Sequence, residues 1–122
     1  MIITIALPWP DKHLSPNSRM HNKAKIPYIQ AARELAYYAV KEQPQYDWQG
    51  MDAGLVMIVT AHPPNNRRRD LDNVLSSCKA YQDGLCQALR VDDRQIVEER
   101  ISWGCTLRGG QIVMTLATRR EE

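Results

Sequence analysis

Residues 2–7 (IITIAL) are an apolar run of strand length, and "PWP" at 8–10 stops it, because proline cannot donate to a sheet ladder. Residues 11–25 form a polar connection rich in turn formers and cations: Lys12, His13, Ser15, Pro16, Asn17, Arg19, His21, Lys23 and Lys25. From Pro27 to about Glu42 the spacing predicts a helix, with Pro27 suited to its first turn and Pro44 just past its end. A second loop runs through Gly50. Residues 54–62 (GLVMIVTAH) are almost continuously apolar, which predicts a central strand buried on both faces. Pro63-Pro64 ends it, and Asn65 to Arg69 makes a basic loop. From about Leu71 to Leu89 the apolar positions Leu71, Val74, Leu75, Cys78, Leu85 and Leu89 recur at helical spacing. "RVDDRQ" reads as a turn, and residues 95–107 and 111–118 as strands, with Gly109-Gly110 between them as a hairpin signal. The order β-α-β-α-β-β predicts an α+β fold: one mixed sheet with two main helices packed on it.

A chain of 122 residues suits one domain spanning 1–122 and is too short for two with separate cores. Its composition, 43% apolar and 25% charged, is that of an ordinary globular protein. Phenylalanine is absent, so aromatic packing falls to Trp9, Trp48, Trp103 and the five tyrosines. Sixteen basic against fourteen acidic residues leave a net charge of only +2. A partner rich in phosphates must therefore meet a local patch, not a global field. Cys78, Cys86 and Cys105 lack metal-binding spacing and read as buried thiols of a reducing compartment. The run Ile2 to Leu7 is far too short to cross a membrane or direct secretion, so a cytoplasmic protein is expected.

The local patch lies in "NNRRRDLDN". Arg67, Arg68 and Arg69 run directly into Asp70, and Asp72 follows after one leucine. Asp70 before an apolar-periodic segment makes a good N-cap. Asp72 in the first turn suits the helix dipole, and Asp92-Asp93 after the helix suits a turn. None of these roles calls for three adjacent arginines. On a continuous helix Asp72, Ser76, Lys79 and Asp83 line one stripe beside the apolar side. Lys79 then leans back toward Asp72; the alternative is a solvent-facing pair with Asp83 at i+4. The two acidic segments stand at opposite ends of the predicted helix, about 30 Å apart at about 1.5 Å per residue. They converge if the chain folds back after Arg90 or if the helix ends early.

Together these residue types have the chemistry of metal-assisted phosphodiester hydrolysis. Aspartates offer the all-oxygen ligands that Mg²⁺ prefers, one or two carboxylates completed by water and phosphate oxygens. Adjacent arginines hold phosphodiesters through forked, charge-assisted hydrogen bonds, and a lysine stabilises charge building at phosphorus. His13 and His21 match no ligand spacing and read as exposed loop histidines.

The same segments resemble the RusA family of Holliday junction resolvases, small endonucleases encoded largely by phages and prophages. "RRRDLDN" at 67–73 matches the family's most characteristic motif. "VDDRQI" at 91–96 resembles its second acidic motif, and "LRGGQIVMTL" at 107–116 its closing hairpin. "LPWP" at 7–10 and "SPNSRMHN" at 15–22 resemble its N-terminal strand and loop, so the resemblance runs in order along nearly the whole chain.

The resemblance implies catalytic residues Asp70, Asp72, Asp93 and Lys79, with Mg²⁺ held by Asp70, Asp72 and Asp93. It implies a homodimer that resolves four-way junction DNA by paired nicks in recombination and repair, and a C₂ dimer matches that substrate's two-fold symmetry. Asp93 is preferred to Asp92 because the family's essential aspartate is the second of the pair. The family's lysine falls at Ser76, and this chain offers Lys79 three residues later, about 4.5 Å of helix rise away. Arg67, Arg68, Arg69, Asn17, Arg19, His21 and Lys23 are the expected DNA-binding residues, reading backbone shape more than bases. Two other readings share this chemistry. One is a junction-binding protein of the same fold without catalysis, which the displaced lysine favours; the other is a Mg²⁺-dependent nuclease acting on flaps or other branched nucleic acids.

Overall fold

The structure is a computed structural model that describes residues 1–44, 48–49 and 53–119. Its strands are β1 (Ile2–Leu7), β2 (Leu55–His62), β3 (Ile96–Trp103) and β4 (Gln111–Thr118). Its helices are α1 (Asn22–Lys41), α2 (Leu71–Ser77) and α3 (Lys79–Leu89), with 3₁₀ turns at Lys12–Leu14 and Asp93–Gln95. The strands form one mixed sheet in the order β1-β4-β2-β3. β4 runs antiparallel to both β1 and β2, and β3 runs parallel to β2. This is the α+β class that the hydrophobic pattern predicts. No described helix is long and apolar enough to cross a membrane.

Alternation explains which side of the sheet is covered. In β1, Ile3, Ile5 and Leu7 are buried while Ile2, Thr4 and Ala6 are exposed. Ile112, Met114 and Leu116 of β4 and Leu55, Met57, Val59 and Ala61 of β2 join the same core. Ala32, Ala36 and Val40 of α1, Val74 of α2 and Leu85 and Leu89 of α3 close over it. Each large side chain so buried contributes about 1.5–3 kcal/mol relative to exposure. β2 meets the expected burial on both faces only at its start, where Val56 is fully buried; Ile58, Thr60 and His62 on that same second face are half-buried. Its apolar run reflects an interior place in the sheet, between two flanking strands.

The hairpin expected at Gly109-Gly110 does not form, because β2 lies between β3 and β4. The two glycines still make a tight turn, with φ of 80° and 75° and the Gly110 amide donating to the Leu107 carbonyl at 2.8 Å. β3 instead pairs parallel to β2, a connection that needs a helical crossover, and α2 and α3 supply it.

The helices also differ from their predicted limits. α1 starts at Asn22, not Pro27, because the His21 side chain caps it by accepting the Lys23 amide. Pro27 consequently lies inside the helix. The predicted helix over 71–89 breaks at Cys78, so there are two helices in place of one. There the Cys78 amide turns to the nearer Leu75 carbonyl at 3.0 Å, and Ser77 Oγ bonds the Asn73 carbonyl at 2.8 Å, a contact that bends helices. Beyond the break α3 lies tightly on α1. A Cβ on Gly84 would stand 2.1 Å from the Arg33 carbonyl oxygen, so only glycine permits that approach.

Aromatic packing is uneven. Trp48 is fully buried, and Tyr81 is buried with its hydroxyl donating to the Pro8 carbonyl at 2.9 Å, whereas Trp103 is exposed on the edge strand β3. Cys78 and Cys86 are buried free thiols, but Cys105 is exposed, contrary to the expectation for all three.

Candidate nucleic-acid interface and acidic site

The loop after β2 folds against the N-terminal loop, and an open cleft of about 510 Å³ runs between them. Trp9, Asp11, Lys12 and Asn17 line one side; Arg67, Arg68, Arg69, Asp70 and Asn73 line the other. Segments some fifty residues apart in sequence thus form one cationic groove. Asn66 Oδ1 accepts from Thr106 Oγ1 at 3.0 Å, which ties the arginine loop to the segment before β4.

The three arginines are not equivalent. Arg69 donates through Nη1 to the carbonyls of Asn65 and Arg67, at 3.1 and 3.0 Å, and through Nη2 to Asn65 Oδ1 at 2.9 Å. Its guanidinium also stands over the Trp9 ring, 5.5 Å from the centroid. Arg69 therefore shapes the loop. Arg67 and Arg68 are exposed, and their guanidinium groups have no protein partner among the described residues.

Of the other cleft candidates, Asn17 lines the groove, while Arg19, His21 and Lys23 are exposed outside its lining. Trp9, Asp11, Lys12 and Asn73 also line the groove, although local pattern marks Lys12 only as a loop cation, Trp9 only as packing, and the other two not at all. The signal for the first three was the stiff "PWPDK" directly after β1, which leaves the chain little freedom to turn away. Asp11 caps the first 3₁₀ turn, accepting the His13 amide at 2.8 Å and bonding the His13 ring. The backbone bond, and then the imidazole, hold its carboxyl below the ordinary aspartate range.

Asp70 is the N-cap of α2, its Oδ1 accepting the Asp72 amide at 2.9 Å. The Asp72 carboxylate is exposed and makes no bond to protein among the described residues. At the far end of the crossover, Arg90 adopts a left-handed conformation (φ 61°) that ends α3 and turns the chain back. Asp92 then caps the next turn. It accepts the Arg94 amide at 2.9 Å and the Arg94 guanidinium at 3.2 Å, and that backbone bond, reinforced by the guanidinium, lowers its pKa.

Asp93 is oriented differently. Its Oδ2 lies 3.2 Å from Lys79 Nζ, which also lies 3.3 Å from Asp83 Oδ1. Lys79 does not lean back toward Asp72 as a continuous helix would require, because the break at Cys78 makes it the first residue of α3. Burial works against its charge, but the hydrogen bond to Asp93 and the charge of Asp83 outweigh it, and the pKa of Lys79 is raised. The Cys86 thiol feels the same group: burial first, then the Asp93 and Asp83 charges, push it to about 12.

Both routes for closing the gap between the acidic segments are therefore used, an early helix break and a fold-back after Arg90. They deliver Asp93 to Lys79. They do not gather Asp70, Asp72 and Asp93, and among the described residues no three His, Cys, Asp or Glu side chains form a metal-binding group.

No protein-family model matches the chain. Among individual relatives, an uncharacterized protein of Xylella fastidiosa strain Temecula1 is 32% identical over 117 residues, 93% of this chain and 74% of the relative. The crossover junction endodeoxyribonuclease RusA of Escherichia coli strain K12 is 32% identical over 129 residues, 98% of this chain and 97% of the relative. The enzyme of the same name from Enterobacteria phage 82 is 32% identical over 128 residues, 97% and 96% respectively.

Proposed function

The chain belongs to the RusA family of crossover junction endodeoxyribonucleases, and from that membership we propose that it is a Mg²⁺-dependent endonuclease resolving four-way DNA junctions. The observation that carries this reading is the cleft. Arg67 and Arg68, whose guanidinium groups have no protein partner among the described residues, line the same open groove as Asp70. Cations suited to a phosphate backbone thereby share a groove with Asp70, one of the carboxylates that would hold a metal.

Asp70 and Asp72 fit a hard cation, since both are exposed and Asp72 has no competing protein partner among the described residues. They would hold the ion, and Asp93, which is paired with Lys79 apart from them, would have to leave that partner to join as a third carboxylate. When bound, Mg²⁺ supplies the means to activate water and to offset charge at phosphorus. Arg67, Arg68 and Lys12 would fix the backbone, with Asn17, Arg19, His21 and Lys23 extending the contact along the N-terminal loop. Arg69 keeps the loop in shape. Lys79 would stabilise negative charge that develops in the transition state. One chain carries one such site and a junction is cut on two opposed strands, so a C₂ homodimer is part of the proposal.

A junction-binding protein without catalysis is the second reading, favoured by one observation: Asp93 and Lys79 satisfy each other, apart from Asp70 and Asp72. Incubation with a synthetic four-way junction, a flap and a duplex, with and without Mg²⁺, tests the choice. Paired nicks on the junction alone, dependent on the metal, are expected. Binding without nicks would favour the second reading, and preferential flap cleavage would change the substrate.

A further inference from the structure

The grip on Lys79 from two sides is not explained by helix stability. Lys79 opens α3, where unpaired backbone amides disfavour a cation. A lysine placed N-terminal to its acidic partner at i+4 is also the weaker orientation for a helical pair. The three charged groups differ in how firmly they are held. Lys79 stands at a helix break and Asp93 on a short 3₁₀ turn. Asp83 lies within α3 between buried Gln82 and Gly84, and Gly84 packs on the backbone of α1 at Arg33. Its side chain is also the most enclosed, 33% exposed against 55% for Lys79 and 46% for Asp93.

We infer that Asp83 is a positioning residue for the proposed nuclease: it anchors the Lys79 ammonium beside Asp93 and keeps it there when phosphate or another cation engages Asp93. This rests on the function proposed above. A lysine held only by Asp93 would swing away on its four-carbon stem whenever that carboxylate took another partner. A second carboxylate on a rigid helix removes that freedom, and orientation of this kind is worth large factors in rate.

Asp83→Asn keeps size and hydrogen bonding and removes the charge. On a four-way junction with Mg²⁺ it should lower kcat on the order of 10- to 100-fold with little change in KM, as expected when an interaction specific to the transition state is lost. Asp83→Glu should recover most of the rate. Lys79→Gln combined with Asp83→Asn should be no slower than Lys79→Gln alone, because both changes disable one group. Additive losses, or wild-type cleavage by Asp83→Asn, would overturn the assignment. A measurement independent of cleavage is the rate at which an amine-reactive ester labels Lys79 in protein free of metal and DNA, read by mass spectrometry. It should rise several-fold in Asp83→Asn, and an unchanged rate overturns the anchoring. If labelling accelerates while wild-type protein cuts no branched DNA, the anchoring stands and the nuclease reading fails.

Discussion

The guanidinium of Arg69 stands over the ring of Trp9, 5.5 Å from its centroid, and joins the arginine loop to the segment that follows the first strand. The same guanidinium donates to the two backbone carbonyls of its own loop. Arg69→Ala should therefore destabilise the protein by about 1–2 kcal/mol, from the lost hydrogen bonds, and weaken DNA binding by loosening the loop. Arg67→Ala and Arg68→Ala should leave stability within about 0.5 kcal/mol. Each should instead lower the slope of log K against log salt by about 0.9 per lost phosphate contact. Thermal melts and salt titrations on junction and duplex DNA measure both; equal behaviour of all three arginines would remove the division of roles.

The acidic residues separate by the same kind of comparison. Asp70→Asn keeps a good N-cap, since asparagine caps as well as aspartate, so its effect isolates the charge. Asp70→Asn, Asp72→Asn and Asp93→Asn should each abolish cleavage while junction binding stays the same or tightens, because negative charge near phosphates is removed. Asp70→Asn and Asp72→Asn should also weaken Mg²⁺ binding, measured by calorimetry. Asp92→Asn should cut normally, as its carboxylate is taken up by Arg94. Normal cleavage by Asp93→Asn with loss in Asp92→Asn would reverse the assignment within the pair.

Lys79→Ala should slow cleavage on the order of 10²-fold or more, the usual cost of one lost stabiliser of transition-state charge. Its melting temperature should hardly move, because the side chain is 55% exposed and an exposed pair contributes little. Junction binding assayed beside cleavage separates catalysis from affinity. A wild-type rate would leave Lys79 as the surface partner of Asp83 and Asp93 only.

Gly84→Ala tests the helix packing that places Asp83. Its Cβ would stand 2.1 Å from the Arg33 carbonyl oxygen, so α3 must move away from α1, at about 1–3 kcal/mol. Chemical denaturation measures this loss. Cleavage should fall with it, since the shift also carries Asp83.

Burial of acids that must stay neutral sets the alkaline behaviour. Burial pushes Cys78 and Cys86 from 9.0 to about 12, and Tyr81 from 10.0 to about 12. The neutral forms belong to the folded state, so their stabilisation is complete below pH 9 and is lost as pH rises from 9 toward 12, where the unfolded chain ionises first. Denaturation midpoints should fall across that interval. Iodoacetamide at neutral pH should label only exposed Cys105 in native protein and all three thiols in denaturant.

Local pattern by itself determined the strands, the fold class and the chemistry of the "RRRDLDN" segment, because alternation, caps and residue type act over a few positions. It determined Asp70 as a cap for the same reason. Tertiary structure decided what depends on distant partners. β3 sits beside β2 and not β4, since an edge accepts whichever strand its crossover delivers. The helix over 71–89 breaks at Cys78, since Ser77 bonds back to Asn73 and α3 must settle on α1. That break, with the turn at Arg90, sends Lys79 to Asp93 in place of Asp72. Periodicity cannot reveal such a contact, because it describes one continuous helix, whereas the packing of two short helices determines where a side chain at their junction reaches.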